Sequence, residues 1–93
     1  LMPNYPNPFN PETWIPFELT TAADVVISIY AIDGSRVRRI DLGSRDAGYH
    51  LSRSRAAYWD GRNDDGERTA SGAYVVELVA GDTREVRRLA ILK

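Results

Sequence analysis

The chain contains no cysteine, and Lys93 is its one lysine, His50 its one histidine and Met2 its one methionine. Without thiols there is neither a disulfide frame nor a thiolate metal site. A lysine confined to the last position argues against the buried lysine that an intramolecular isopeptide bond requires, because chain ends fray. No apolar run approaches the ~20 residues needed to span a bilayer as a helix. Positive and negative side chains nearly cancel, 12 against 13, so the basic face of a nucleic-acid module is missing. Leu1 opens without a basic region or an apolar core, so no secretory signal peptide is expected here, and the chain is expected to be a piece of a longer protein. Ninety-three residues imply one domain, expected as a monomer.

Chemistry is equally thin. A single histidine among scattered serines and aspartates signals neither a triad nor an oxyanion hole. No catalytic residue and no cofactor are expected. Asp60, Asn63, Asp64, Asp65 and Glu67 do crowd hard oxygen ligands into one stretch. Counting back from Gly66, Asp65 and Asn63 fit a calcium loop, but Gly61 takes the first ligand position and no glutamate follows at the required distance. The aspartates and glycines are read instead as consecutive turns, with no metal ligand among them.

What is present is proline and alternation. Asn4-Tyr5-Pro6-Asn7-Pro8-Phe9-Asn10-Pro11 holds three prolines, which fix φ and remove three donors. Residues 1–12 therefore form a semi-rigid lead-in, with Tyr5 and Phe9 as its plugs into a sandwich spanning 13–93. In Thr13 to Leu19, Ile15, Phe17 and Leu19 alternate with Trp14, Pro16 and Glu18, the period of a strand. Pro16 cannot donate to a ladder, so this strand is expected at an edge or with an irregularity. Val25, Ile27 and Ile29 mark the clearest strand. Asp33-Gly34 predicts a type I′ hairpin turn, with positive φ at both centres. Val37 to Leu42 returns with an apolar phase that shifts between Val37 and Ile40, which predicts a bulge or a twisted end. Residues 43–48 read as a polar loop, and residues 51–57 are undecided between loop, helical turn and extended excursion. Trp59, the alternating Tyr74, Val76 and Leu78, and Leu89 and Ile91 complete the expected core. Short strands with turn signals between them predict an all-β antiparallel β-sandwich of about seven strands.

The proline-rich opening, together with Asp33-Gly34, Gly48-Tyr49-His50, Trp59-Asp60-Gly61, Gly66, Ser71-Gly72-Ala73-Tyr74 and the ending Arg88 to Lys93, resembles the C-terminal sorting domains (type A) of type IX secreted bacterial proteins. It is similar also to the related immunoglobulin-like domain of the flagellar hook-capping protein. The likeness covers nearly the whole chain; residues 51–57 look like an insertion into the family's pattern. It implies an immunoglobulin-like sandwich without enzymatic activity. The domain would act as a secretion and sorting signal and surface-attachment module, on a protein that passes the periplasm to the cell surface or beyond. The implied partner is the export machinery of the outer membrane. The residues implied in recognition are Gly72, Tyr74, Arg88, Leu89, Ile91 and Lys93, and the terminal lysine fits a native C-terminus.

Two rival readings stand beside it. One is a structural scaffold like the hook-capping domain. The other is a glycan-binding accessory module using Trp14, Tyr49 and Tyr58. Arg36, Arg38, Arg39, Arg84, Arg87 and Arg88 would make a basic patch for an anionic surface glycan or lipid phosphate if their strands lie close together. Trp14, Arg36, Arg38 and Arg84 are the candidate partner contacts. The competing expectation is a solvated face paired with Asp41, Glu77 and Glu85.

Overall fold

The β-branched and alternating runs form eight strands among the described residues, which are 1–7 and 11–91 of a computed structural model. They are β1 (Thr13–Ile15), β2 (Phe17–Leu19), β3 (Ala23–Ala31), β4 (Arg36–Arg45), β5 (Gly48–His50), β6 (Ala57–Trp59), β7 (Gly72–Ala80) and β8 (Thr83–Ile91). Phe9 and Lys93 lie outside the described residues. The strands make one antiparallel sheet in the order β4-β3-β7-β8 and two short ribbons, β1-β6 and β2-β5. Side chains of sheet and ribbons share one core, so the architecture is a two-layer all-β sandwich.

The four-stranded sheet follows from its sequence. Val25, Ile27 and Ile29 on β3 register with Ala80, Leu78 and Val76 on β7, and all six are buried. Each large apolar side chain hidden this way contributes about 1.5–3 kcal/mol. Leu89 and Ile91 extend the same face on β8, opposite Tyr74 and Gly72. Val86, out of step with them, is half exposed on the other face. The register of β3 against β4 slips twice: Ile29 faces Arg38 while Tyr30 faces Arg36, and Val25 faces Gly43 while Val26 faces Asp41. Val37 and Leu42 are the extra residues, so of the bulge or twisted end expected between Val37 and Ile40 it is a bulge, at Val37, and a second one follows.

Two local expectations need correction. The turn at Asp33-Gly34 is not type I′, because only Gly34 has positive φ (90°). The Gly34 amide donates to the Ala31 carbonyl and the Ala31 amide to Ser35, which is the three-residue hairpin loop with glycine in the left-handed position. Asp33 Oδ1 accepts from both the amide and the hydroxyl of Ser35 and so favours that turn over the two-residue one. Residues 43–48 are also not a loop: β4 continues to Arg45 and β5 starts at Gly48. Gly43, at φ 69° beside the second bulge, lets the strand continue.

The second layer is where Pro16 acts. Thr13–Ile15 and Phe17–Leu19 are one strand line broken at Pro16, with β6 opposite the first half and β5 opposite the second. Phe17 faces His50 and Ile15 faces Ala57, so residues 51–56 leave the layer at the level of Pro16, where no donor is available. On the other side the lead-in adds partial pairing. Tyr5 and Trp14 exchange amide–carbonyl bonds of 2.9 and 2.8 Å, and the Met2 amide donates to the Pro16 carbonyl. The expected irregularity is therefore this break. The Tyr5–Pro6 peptide bond is cis. Asn4, buried, donates to Thr13 Oγ1 and to the Pro6 carbonyl, locking the lead-in to β1.

Candidate functional site

Of the residues implied in recognition, Gly72, Tyr74, Arg88, Leu89 and Ile91 sit on the β7–β8 hairpin, and Lys93 lies outside the described residues. Gly72 is opposite Ile91, and Tyr74 is opposite Leu89. Tyr74 packs edge-on against Trp59 with ring centroids 6.0 Å apart, and its hydroxyl donates to the Ala70 carbonyl at 2.7 Å. Leu89 and Ile91 are 3% and 4% exposed, so they are reachable by a partner only through the shape they give the hairpin. Arg88 lies on the outer face opposite Val75 and is exposed. It has no ion-pair partner among the described residues.

The arginines are not gathered into one patch. β4 and β8 are opposite edges of the sheet, three strand spacings or roughly 14 Å apart. Arg38 shares the inner face with Ile29 and reaches across to the other layer, where it donates to Asp60 Oδ1 at 2.9 Å and to the Arg62 carbonyl at 3.1 Å. Arg36 pairs with Asp64, Arg39 with Asp41 and Arg84 with Glu77.

The acidic stretch after Trp59 explains itself as structure. Asp60 Oδ1 also accepts from the Arg62 amide. Asn63 Oδ1 accepts from the amides of Asp65 and Glu67. Asp64 docks on the β4 edge, its amide donating to the Val37 carbonyl and its carboxylate accepting from the Arg39 amide. The turn thereby covers an edge that would otherwise be open to pairing. No three acidic or histidine side chains converge on a metal position among the described residues.

The outer face of the ribbon layer carries an aromatic row. Tyr5, Trp14 and Tyr58 are neighbours across three chain segments. Tyr5 stacks beside Trp14 at 6.2 Å and 18°, and Tyr58 tilts against it at 5.4 Å. Trp14 is half-buried rather than free, because the Arg53 guanidinium lies 4.4 Å above its ring. The Tyr58 hydroxyl donates to Glu12 at 2.6 Å, and this bond, with lesser burial, holds the phenol above its usual titration range. Tyr49 is 58% exposed and faces Glu18, four residues along the strand line from Trp14, or about 13 Å. It belongs to a separate part of the face.

Of residues 51–57, which the sequence left undecided, 51–56 form a single turn and Ala57 opens β6. The amides of Arg55 and Ala56 both donate to the Ser52 carbonyl, and Tyr5 Oη donates to the Leu51 carbonyl. His50 is buried and stacked on Phe17 with ring centroids 4.6 Å apart. Its Nε2 meets the Asp46 carbonyl at 2.9 Å; a carbonyl only accepts, so Nε2 carries the proton. Sequence reasoning gave Arg45, Arg53 and Arg55 no role. Their meeting points are made by chain reversal, which residue spacing does not reveal.

The sequence matches the FlgD Ig-like domain family over residues 9–84. The chain belongs to this family. Among solved structures it is similar to FlgD from P. aeruginosa, with a TM-score of 0.67 and 24% identity over 85% of the chain. It is similar also to dimeric latent PorU from Porphyromonas gingivalis, with a TM-score of 0.71 and 15% identity over 97% of the chain. A third likeness is to PorZ of Porphyromonas gingivalis, described as an essential bacterial surface component of the type IX secretion system, with a TM-score of 0.62 and 20% identity over 98% of the chain. The chain spans 58%, 9% and 11% of those three proteins respectively. No curated protein sequence matches it. The FlgD-like immunoglobulin fold and the likeness to type IX secretion components agree with the resemblance drawn from the sequence. No helix among the described residues is long and apolar enough to cross a membrane.

Proposed function

We propose that this chain is a non-enzymatic C-terminal module that directs a larger exported protein through the outer-membrane type IX machinery and holds it at the cell surface. The observation that carries the reading is the fold it shares, over nearly its whole length, with parts of PorU and PorZ. The β7–β8 hairpin supplies a rigid platform whose buried Tyr74, Leu89 and Ile91 fix the placement of exposed Arg88. Recognition reads the folded hairpin and its charged outer residues together, with Lys93 as a further contact. The test is a reporter fused ahead of the domain in a host that has the machinery, followed by surface and periplasmic fractionation. Wild-type fusion reaches the surface; Arg88→Ala with Lys93→Ala accumulates in the periplasm at an unchanged melting temperature. Periplasmic retention of the wild-type fusion refutes the sorting role.

A scaffold reading is favoured by a different observation, the family match itself and the 58% of FlgD that the chain spans. In that case the domain contributes to an assembly without acting as an export tag. Co-purification of the full-length protein with a stoichiometric assembly, alongside failed export of the fusion, distinguishes it.

A further inference from the structure

The turn of residues 51–56 and the β4–β5 connection border an open surface cleft of about 200 Å³ lined by Ser44, Arg45, Asp46, His50, Ser54 and Arg55. That volume holds roughly seven water molecules at ~30 Å³ each, so a small group enters together with part of its hydration. Every lining residue is polar, two of them arginines, and the Ser54 hydroxyl is hydrogen-bonded to the Ser52 hydroxyl at 3.0 Å. Arg45 Nε is buried without a hydrogen-bond partner among the described residues, and a buried donor left unmet is costly. The guanidinium fork matches two oxygens of a phosphoryl group. His50, stacked on Phe17 and bonded to the Asp46 carbonyl, keeps the floor of the cleft rigid.

We propose that this cleft binds a phosphate monoester, held by Arg45 and Arg55. The two arginines outweigh the single carboxylate of Asp46 that lines the same space. That carboxylate weakens the site for any anion by like-charge repulsion. Ser54 and Arg55 come from the inserted turn, so the insertion adds a ligand site to the sandwich. The proposal is independent of the export reading.

The test is a titration of the chain with inorganic phosphate, followed by amide NMR at residues 44–46, 50, 54 and 55. Saturable shifts confined to these positions are expected. Arg45→Gln and Arg55→Gln each weaken binding at least tenfold, Arg45→Lys weakens it less, and Asp46→Asn tightens it severalfold. Arg84→Gln, on the far edge of the sheet, leaves it unchanged. Linear shifts without saturation, equal weakening by Arg84→Gln, or no gain from Asp46→Asn overturn the proposal, since a hydrated Arg45 or diffuse charge then accounts for the cleft. Co-sedimentation with phosphatidic acid vesicles but not phosphatidylcholine vesicles, lost in Arg45→Gln, assigns the phosphate to a lipid headgroup. Saturable phosphate binding without vesicle binding assigns it to a soluble phosphoester. Vesicle binding that persists in Arg45→Gln counts against the site.

Discussion

The two layers of the sandwich solve the same burial problem differently. The four-stranded sheet uses long strands in regular alternation, with β3, β7 and β8 each spanning nine residues. The ribbon layer uses four strands of three residues each and reaches the same core through Ile15, Phe17, Ala57 and Trp59, all fully buried. The sheet is held mainly by its ladders. The ribbons have few ladder bonds and rely on side-chain anchors: Asn4 to Thr13, Trp59 to the Arg62 carbonyl, and Arg38 from the opposite layer. A layer built on anchors tolerates an insertion that a continuous ladder would resist. Residues 51–56 leave and rejoin that layer between β5 and β6, and they contribute to both the aromatic row and the proposed phosphate cleft.

If the ribbon layer depends on anchors, removing one should be severe. Trp59→Ala leaves a cavity under both ribbons and is expected to cost about 3–5 kcal/mol, a large share of the stability of a small domain. Chemical denaturation measures it; a loss under 1 kcal/mol would break the contrast between the layers. Gly61→Ala is next. Gly61 has φ 78° and its missing Cβ would overlap the Pro11 carbonyl. The backbone conformation alone costs roughly 1–3 kcal/mol, and the overlap pushes the lead-in away from the corner. A thermal melt reads the first effect and protease sensitivity of the lead-in the second.

Paired arginine substitutions sharpen the comparison further. Arg38→Ala breaks an interlayer, partly buried pair that is expected to contribute roughly 1–2 kcal/mol. Arg84→Ala breaks an exposed pair within the sheet, worth under about 1 kcal/mol. Equal losses would mean that Arg38 is not an anchor. Arg53→Ala removes the cation above Trp14, for about 0.5–1 kcal/mol, and exposes that ring to water. A red shift in tryptophan emission is expected; Trp59 is fully buried, so the change reports on Trp14.

The smallest expected effect lies in the regular sheet. The Ser35 hydroxyl, and then the Ser35 amide, hold the Asp33 carboxyl below its ordinary range. A lowered folded pKa means that the turn gains stability above about pH 4 and loses it as pH falls through the folded value. In Ser35→Ala the Asp33 midpoint should rise toward normal, as followed by carboxyl NMR. An unchanged midpoint would assign the shift to another cause.

The sequence by itself determined the all-β class, the core residues and the family. These depend on alternation and on turn residues, which act over two to four positions and leave a local mark. Ile15, Phe17, Ile27, Trp59, Val76 and Ile91 were legible for that reason. The bulge at Val37 was legible as a phase shift. The hairpin at Asp33 was placed correctly but its turn type was not, because the choice turned on where Ser35 sends its two donors. Residues 43–48 looked like a loop because glycines and polar residues carry no alternation, yet pairing with β3 draws Gly43 to Arg45 into the sheet. Tertiary structure alone decided that β4 and β8 lie on opposite edges, so that the arginines of the two strands stay apart. It also decided that Arg38 reaches inward to Asp60 while Arg45 and Arg55 meet in a cleft. Such meetings join residues whose separation in the chain has no period; the inserted turn has its place because the strand line breaks at Pro16, where the turn leaves the layer and returns.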